Sequence, residues 1–169
     1  SMKRLTNVSV EGNKAFGKKV TPSVSPDKKY AYGDVAFLTN GVRGASDYNV
    51  HWIGWNGTST ILTLDLESTT TAKHIELSSL WNGKSWILHP AEVSCSVSED
   101  GINYTLLGKR QNKGDQEVED VIKTYFFDAS NQRYRYVKVE ITGTHTLFNW
   151  HPSAGEPSWF FIDEIIVTD

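Results

Sequence analysis

Along this chain apolar and polar residues alternate with a period of two, the period of a half-buried β-strand. Leu62, Leu64 and Leu66 alternate with Thr63 and Asp65, and Ile75 and Leu77 with His74 and Glu76. Val137, Val139 and Ile141 alternate with Tyr136, Lys138 and Glu140. The segment from Trp159 to Val167 is almost continuously apolar and reads as one strand buried on both faces. Turn signals separate the runs: Ser-Pro-Asp at 25–27, Asn-Gly at 40–41, 56–57 and 82–83, and Asp-Gly at 100–101. The pattern predicts strands over 19–24, 60–67, 73–80, 92–98, 103–109, 121–128, 134–142 and 159–167. No helical segment exceeds a turn or two, so the expected fold is all-β, an antiparallel sandwich or barrel.

Composition narrows this to one soluble-type domain. The 169 residues, 38% hydrophobic and 22% charged, suffice for one core without staples, and no apolar run approaches a membrane span. A net charge of −3 with scattered basic residues lacks the footprint that a nucleic-acid partner needs. Cys95 has no partner for an intrachain disulfide, and it shares a face with Val93 and Val97, as a buried structural thiol would. Ser1-Met2 reads as a vector-derived remnant ahead of an excised segment. Residues 1–16 are expected to be an N-terminal extension and 17–169 a single domain. The charged stretch 108–120 reads as an exposed loop without a functional role.

Candidate chemistry lies in the loops. All six tryptophans sit in or beside polar, glycine-bearing stretches, such as 51–57, 80–86 and 149–159. Indole and phenol rings on loops suit a half-apolar ligand such as a sugar ring, and they equally suit plugging the ends of a β-barrel. The segment Gly12-Asn13-Lys14-Ala15-Phe16-Gly17-Lys18-Lys19 comes close to a phosphate-binding loop. It ends in Lys where a hydroxyl is needed and is followed by Pro22 and Pro26, so it is set aside. His51, His151, Asp47, Asp163 and Glu164 show no catalytic spacing, and the chain reads as a non-enzyme. Asp163 and Glu164 fall inside the most apolar strand, where neighbours are expected to face opposite ways and share no site.

Three stretches carry a family resemblance. Phe37-Leu38-Thr39-Asn40-Gly41-Val42-Arg43-Gly44, the run Glu92 to Tyr104, and Arg135-Tyr136-Val137-Lys138-Val139 with Phe161-Ile162-Asp163-Glu164-Ile165 resemble motifs of coagulation factor V/VIII type C, or discoidin-like, domains. Trp86-Ile87-Leu88-His89-Pro90 and Trp150-His151-Pro152 with Gly155 and Trp159 are similar, more narrowly, to the type C domain appended to bacterial family 20 β-hexosaminidases. Such domains lie close to the family 32 carbohydrate-binding modules. The resemblance implies a jelly-roll sandwich, galactose-binding-domain-like, with ligand-presenting loops at one end.

It also implies a structural Ca²⁺ held by Glu164, Asn40 and the Phe37 carbonyl, with Ser46 or Asp47 adding a ligand. Asn40 and Val42 stand where the family carries acidic residues, which lowers the ligand charge, and an Asn-Gly turn needs no ion. Trp52, Trp86 and Trp159 match positions the family buries. The candidates for sugar contact are Tyr48, His51, Trp81, Asn82, Lys84, Trp150 and His151.

The expected function is therefore a non-catalytic, monomeric carbohydrate-binding module from a larger secreted, periplasmic or cell-surface glycosidase of bacterial origin. It would bind galactose- or N-acetylhexosamine-type glycans weakly, with the parent catalytic domain as partner in cis. The rivals are an interdomain scaffold without free ligand and a phospholipid or protein adhesion domain.

Overall fold

The computed structural model describes residues 12–114 and 121–169. Ten strands form two sheets: β1 (Lys19–Pro22), β2 (Ile53–Asn56), β3 (Thr60–Thr70), β4 (His74–Leu80), β5 (Glu92–Ser98), β6 (Thr105–Gln111), β7 (Ile122–Asp128), β8 (Tyr134–Thr142), β9 (Trp159–Ile162) and β10 (Ile166–Thr168). One sheet runs β1-β3-β8-β5-β6. In the other, β4 is flanked by β7 on one side and by β9 and β10 on the other, and β2 closes the far edge against β9. Every strand pairing is antiparallel. This is the sandwich the alternation predicts, and the inward residues of both sheets (Leu62, Leu64, Ile75, Leu77, Cys95, Tyr125, Val137, Val139) share one core. Trp55 is fully buried there and stacks on Phe160 at 5.1 Å.

All eight predicted strands are present, those at 92–98 and 134–142 with the predicted ends and the others with shifted ones, and two features differ. β2 was not foreseen: Ile53-Gly54-Trp55-Asn56 is only four residues long and carries a glycine. That glycine is needed, because a Cβ on Gly54 would stand 2.6 Å from the Phe161 ring. The expected strand 159–167 is interrupted at residues 163–165. Against β4 the register slips by one residue between the Ser79↔Ile162 pair and the Ile166↔Glu76 pair, as a β-bulge requires. The bulge sits where two carboxylates follow one another, and the Asp163 side chain accepts from the β4 backbone at Ser78 N–H.

Residues 12–16 are part of the folded body. Lys14 N–H donates to Val167 O at 2.8 Å, and Asn13 Oδ1 accepts from Val167 N–H. The rest of the expected N-terminal extension, 1–11, lies outside the described residues. Of the charged stretch expected to be an exposed loop, residues 108–111 instead belong to β6, and 115–120 lie outside the described residues.

Candidate functional site

The bulge gathers what strand alternation would have separated. Asp163 Oδ1 accepts from Ser78 N–H at 3.1 Å, and its Oδ2 accepts from Gly44 N–H at 3.0 Å. Glu164 Oε2 accepts from Gly41 N–H at 2.7 Å. Contrary to the expectation from alternation, both carboxylates reach the same 41–44 loop, because the strand has already ended at Ile162. Leu38 O, accepting from Ile165 N–H, ties the preceding turn (Val35–Thr39) to the same place.

Glu164 is completely buried, and its Oε1 has no hydrogen-bond partner. Burial pushes its carboxyl up to about 8; the Gly41 N–H opposes this, and the neighbouring Asp163 adds to it. A buried carboxylate oxygen without a donor is what a hard cation would satisfy, so the family's calcium fits Glu164. Among the described residues no three His, Cys, Asp or Glu side chains gather into a metal group, so further ligands would be carbonyl and amide oxygens. Of the other expected ligands, Phe37 is half-buried in the Val35–Thr39 turn. Asn40 is exposed, and its Oδ1 accepts from Val42 N–H at 3.1 Å, the bonding of a plain Asx turn. Asp47 is exposed and its Oδ1 accepts from Asn49 N–H at 2.9 Å, closing its own turn.

The sugar candidates divide between two surfaces. Tyr48 and His51 lie on the 45–52 loop. Tyr48 meets Tyr30 edge-on at 6.3 Å in a cluster with Trp52, Leu80, Phe161 and Trp159. His51 is exposed, with φ at 61°. Trp81, Asn82, Lys84, Trp150 and His151 come together elsewhere. Trp81 and Trp150 stack at 5.9 Å and 27°, and Phe148 continues the row 6.1 Å from Trp150. Leu88, Leu147 and Trp86 pack behind them.

The loop bearing Trp150 is pinned through His151. Its Nε2 stands 2.7 Å from Gly83 O, so it carries the proton and donates, and its Nδ1 accepts from Ser153 N–H at 2.9 Å. With both nitrogens spent, His151 is an anchor between loops. Asn82 likewise caps a short turn, its Oδ1 accepting from Ser85 N–H, whereas Lys84 is exposed. Trp52 is buried and Trp86 and Trp159 are half-buried, in packing roles.

Beside the Trp81–Trp150–Phe148 row, at the end of the sandwich where β4, β6 and β8 finish, is a hollow of about 320 Å³. Trp81, His89, Ala91, Asn112, Gly114, Thr144 and Phe148 line it, with Lys113 and Gly143. A relay of buried polar groups underlies it. Lys123 Nζ donates to Asn112 Oδ1, and Asn112 Nδ2 donates to Pro90 O and to the Tyr125 hydroxyl, both at 2.8 Å. Because Asn112 Nδ2 can only donate, the Tyr125 proton goes on to Ser79 Oγ at 2.7 Å, and the Ser79 proton to His89 Nδ1 at 2.7 Å. The relay thus leaves the His89 proton on Nε2 and fixes the ring's orientation. Burial raises the Tyr125 phenol, which stays protonated.

His89, Asn112, Thr144 and Phe148 were not among the sequence candidates. His89 does lie in the Trp86–Pro90 run that carries the narrower resemblance. Nothing local marks Asn112, in a charged stretch, as a member of a buried network.

The two packed antiparallel sheets define a jelly-roll-type β-sandwich domain. The chain belongs to the F5/8 type C domain family, whose pattern matches residues 9–163. Comparison with curated proteins gives no match. Among solved structures the chain is similar to SpGH29, with 16% identity, a TM-score of 0.58, and coverage of 94% of this chain but only 28% of that one. It is also similar to CpGH89CBM32-5 from Clostridium perfringens, solved in complex with GalNAc-β-1,3-galactose: 16% identity, TM-score 0.54, 90% and 96% of the two chains covered. The C-terminal domain of a chitobiase from Bacteroides fragilis matches with 17% identity and a TM-score of 0.56, over 92% and 95% of the two chains.

Proposed function

We propose that this domain is a non-catalytic carbohydrate-binding module that takes a glycan at the sandwich-end hollow. The observation that carries the reading is a hollow lined by the Trp81 and Phe148 rings, with Trp150 stacked between them, and by His89 and Asn112 side chains held in fixed orientation. Rings offer stacking surface to the C–H face of a sugar, and oriented side chains fix which hydroxyls fit. The structural neighbour bound to GalNAc-β-1,3-galactose supports galactose- or N-acetylhexosamine-type glycans as the ligand class.

One stacked ring and three or four net hydrogen bonds amount to about 4–6 kcal/mol, or roughly millimolar to tens of micromolar affinity. Binding that weak works through tethering, so the module would serve a glycosidase catalytic domain in cis, in a bacterial protein secreted, periplasmic or displayed on the cell surface. SpGH29, of which this chain covers 28%, and the chitobiase domain are neighbours that support such a setting. Calcium, if bound, would sit at Glu164 with Asn40 and the Phe37 carbonyl and stiffen the 41–44 loop; it would not touch the glycan.

Calorimetric titration against galactose- and N-acetylhexosamine-terminated oligosaccharides tests the proposal. Saturable binding that Phe148→Ala weakens is the expected result, and a folded protein that retains no glycan would overturn it. A second reading, an interdomain scaffold, draws support from His151, whose two nitrogens are used inside the domain. It predicts that Trp150→Ala lowers stability while glycan retention stays unchanged.

A further inference from the structure

We infer that the sandwich-end hollow receives an N-acetyl group, with the indole N–H of Trp81 donating to the acetamide oxygen. This rests on the glycan-binding reading and narrows it to acetamido sugars.

The starting point is an orphan donor. Trp81 is 7% exposed and lines the hollow, yet its Nε1 has no hydrogen-bond partner. Three other indoles are satisfied by carbonyls: Trp52 by Ala45, Trp55 by Val24 and Trp150 by Gly114. A buried N–H left unmade is costly, and native interiors rarely keep one without a use.

The rest of the lining sets what the partner of that N–H can be. Ala91, Gly143, Phe148 and the Trp81 ring present apolar surface. The polar atoms nearby are already committed: Asn112 gives both amide hydrogens and receives Lys123, His89 Nδ1 receives Ser79, and Thr144 Oγ1 pairs with Ser158 Oγ at 2.6 Å. What remains for an entering group is apolar wall and donors, the Trp81 N–H and the exposed Lys113 ammonium.

A hexose hydroxyl needs both a donor and an acceptor and would lose hydration without replacement. An acetamide instead presents a methyl group and one strong carbonyl acceptor, which matches that lining. The Trp81 N–H lies beneath the wall of the hollow, so the wall has to shift for the oxygen to reach it. We assign that shift to the half-buried Trp150 ring behind the wall, which stacks on Trp81 and is held to Gly114 by a hydrogen bond of 3.0 Å.

The test is an NMR titration of the folded chain with N-acetylgalactosamine against galactose and N-acetylglucosamine against glucose. The acetamido sugar of at least one pair should bind about tenfold more tightly than its parent, from one net hydrogen bond and one buried methyl. Trp81→Phe keeps an aromatic ring, removes the N–H, and should reduce that preference about fivefold. In the unmodified chain the Trp81 indole proton should move downfield with the acetamido sugar and not with its parent, which decides the matter even if the variant fails to fold. Equal binding within both pairs, or an indole proton that stays still on saturation, would overturn the inference while leaving glycan binding intact. Absence of binding by these sugars and by the oligosaccharides they terminate would overturn both.

Discussion

Replacing Glu164 by Gln isolates the electrostatic cost hidden in the bulge. The side chain is completely buried, and burial raises its carboxyl from 4.5 to about 8. Since the folded value lies above the unfolded one, the group favours folding fully below about pH 4.5. That contribution is lost as pH rises toward 8, because the unfolded chain ionises first. Carried through the whole interval, the loss is about 3–5 kcal/mol, a large fraction of the stability of a domain this size.

The assay is chemical denaturation of both proteins from pH 5 to 9, in chelator and in millimolar calcium. In chelator the wild type should lose stability steadily up to about pH 8 relative to Glu164→Gln, with the difference levelling off above that. Calcium should restore the wild type and leave the Gln variant unmoved. Parallel pH profiles for the two proteins in chelator would refute the reasoning, since Glu164 would then carry no buried charge.

Other consequences are local. Gly44→Ala places a Cβ 2.1 Å from the Trp52 ring in a loop already tied to Asp163, and should cost about 1–3 kcal/mol or more in thermal unfolding. Ser79→Ala interrupts the relay between Tyr125 and His89 and should cost about 1–3 kcal/mol, with a change in glycan affinity that calorimetry would register. The Asp65–Arg135 pair is over a third exposed on both sides, so Asp65→Asn should cost no more than about 1 kcal/mol, although the arginine holds the Asp65 carboxyl below its usual range. Burial pushes the Cys95 thiol up to about 12, so it should resist thiol reagents in the native protein and react at once in denaturant.

What could be read from the sequence, and what could not, follows the range of the interactions. Strands such as β3 and β8 declare themselves because each apolar residue meets a core neighbour through its own alternation. β2 is hidden because it is short and its Gly54 answers to the Phe161 ring, a residue more than a hundred positions away in the chain. The bulge at 163–165 has a local sign, two carboxylates in an apolar run, but their partners at Gly41, Gly44 and Ser78 are visible only once the sheet is assembled.

For the hollow, loop composition pointed to Trp81 and Trp150, and the structure places them in one stack. It could not distinguish His151, which anchors two loops, from His89, which lines the hollow. His151 stands between Trp150 and Pro152, and His89 precedes Pro90 three residues after Trp86. Their roles are set by Gly83 in one case and by Ser79 and Tyr125 in the other.

The central claim, that a glycan enters at the end of the sandwich, is tested most directly by mapping backbone and side-chain NMR shifts during titration with an N-acetylhexosamine-terminated oligosaccharide. The account predicts saturable shifts confined to Trp81, His89, Asn112, Thr144, Phe148 and Trp150. Shifts centred instead on Tyr48 and His51, or a spectrum that does not change at all, would contradict it.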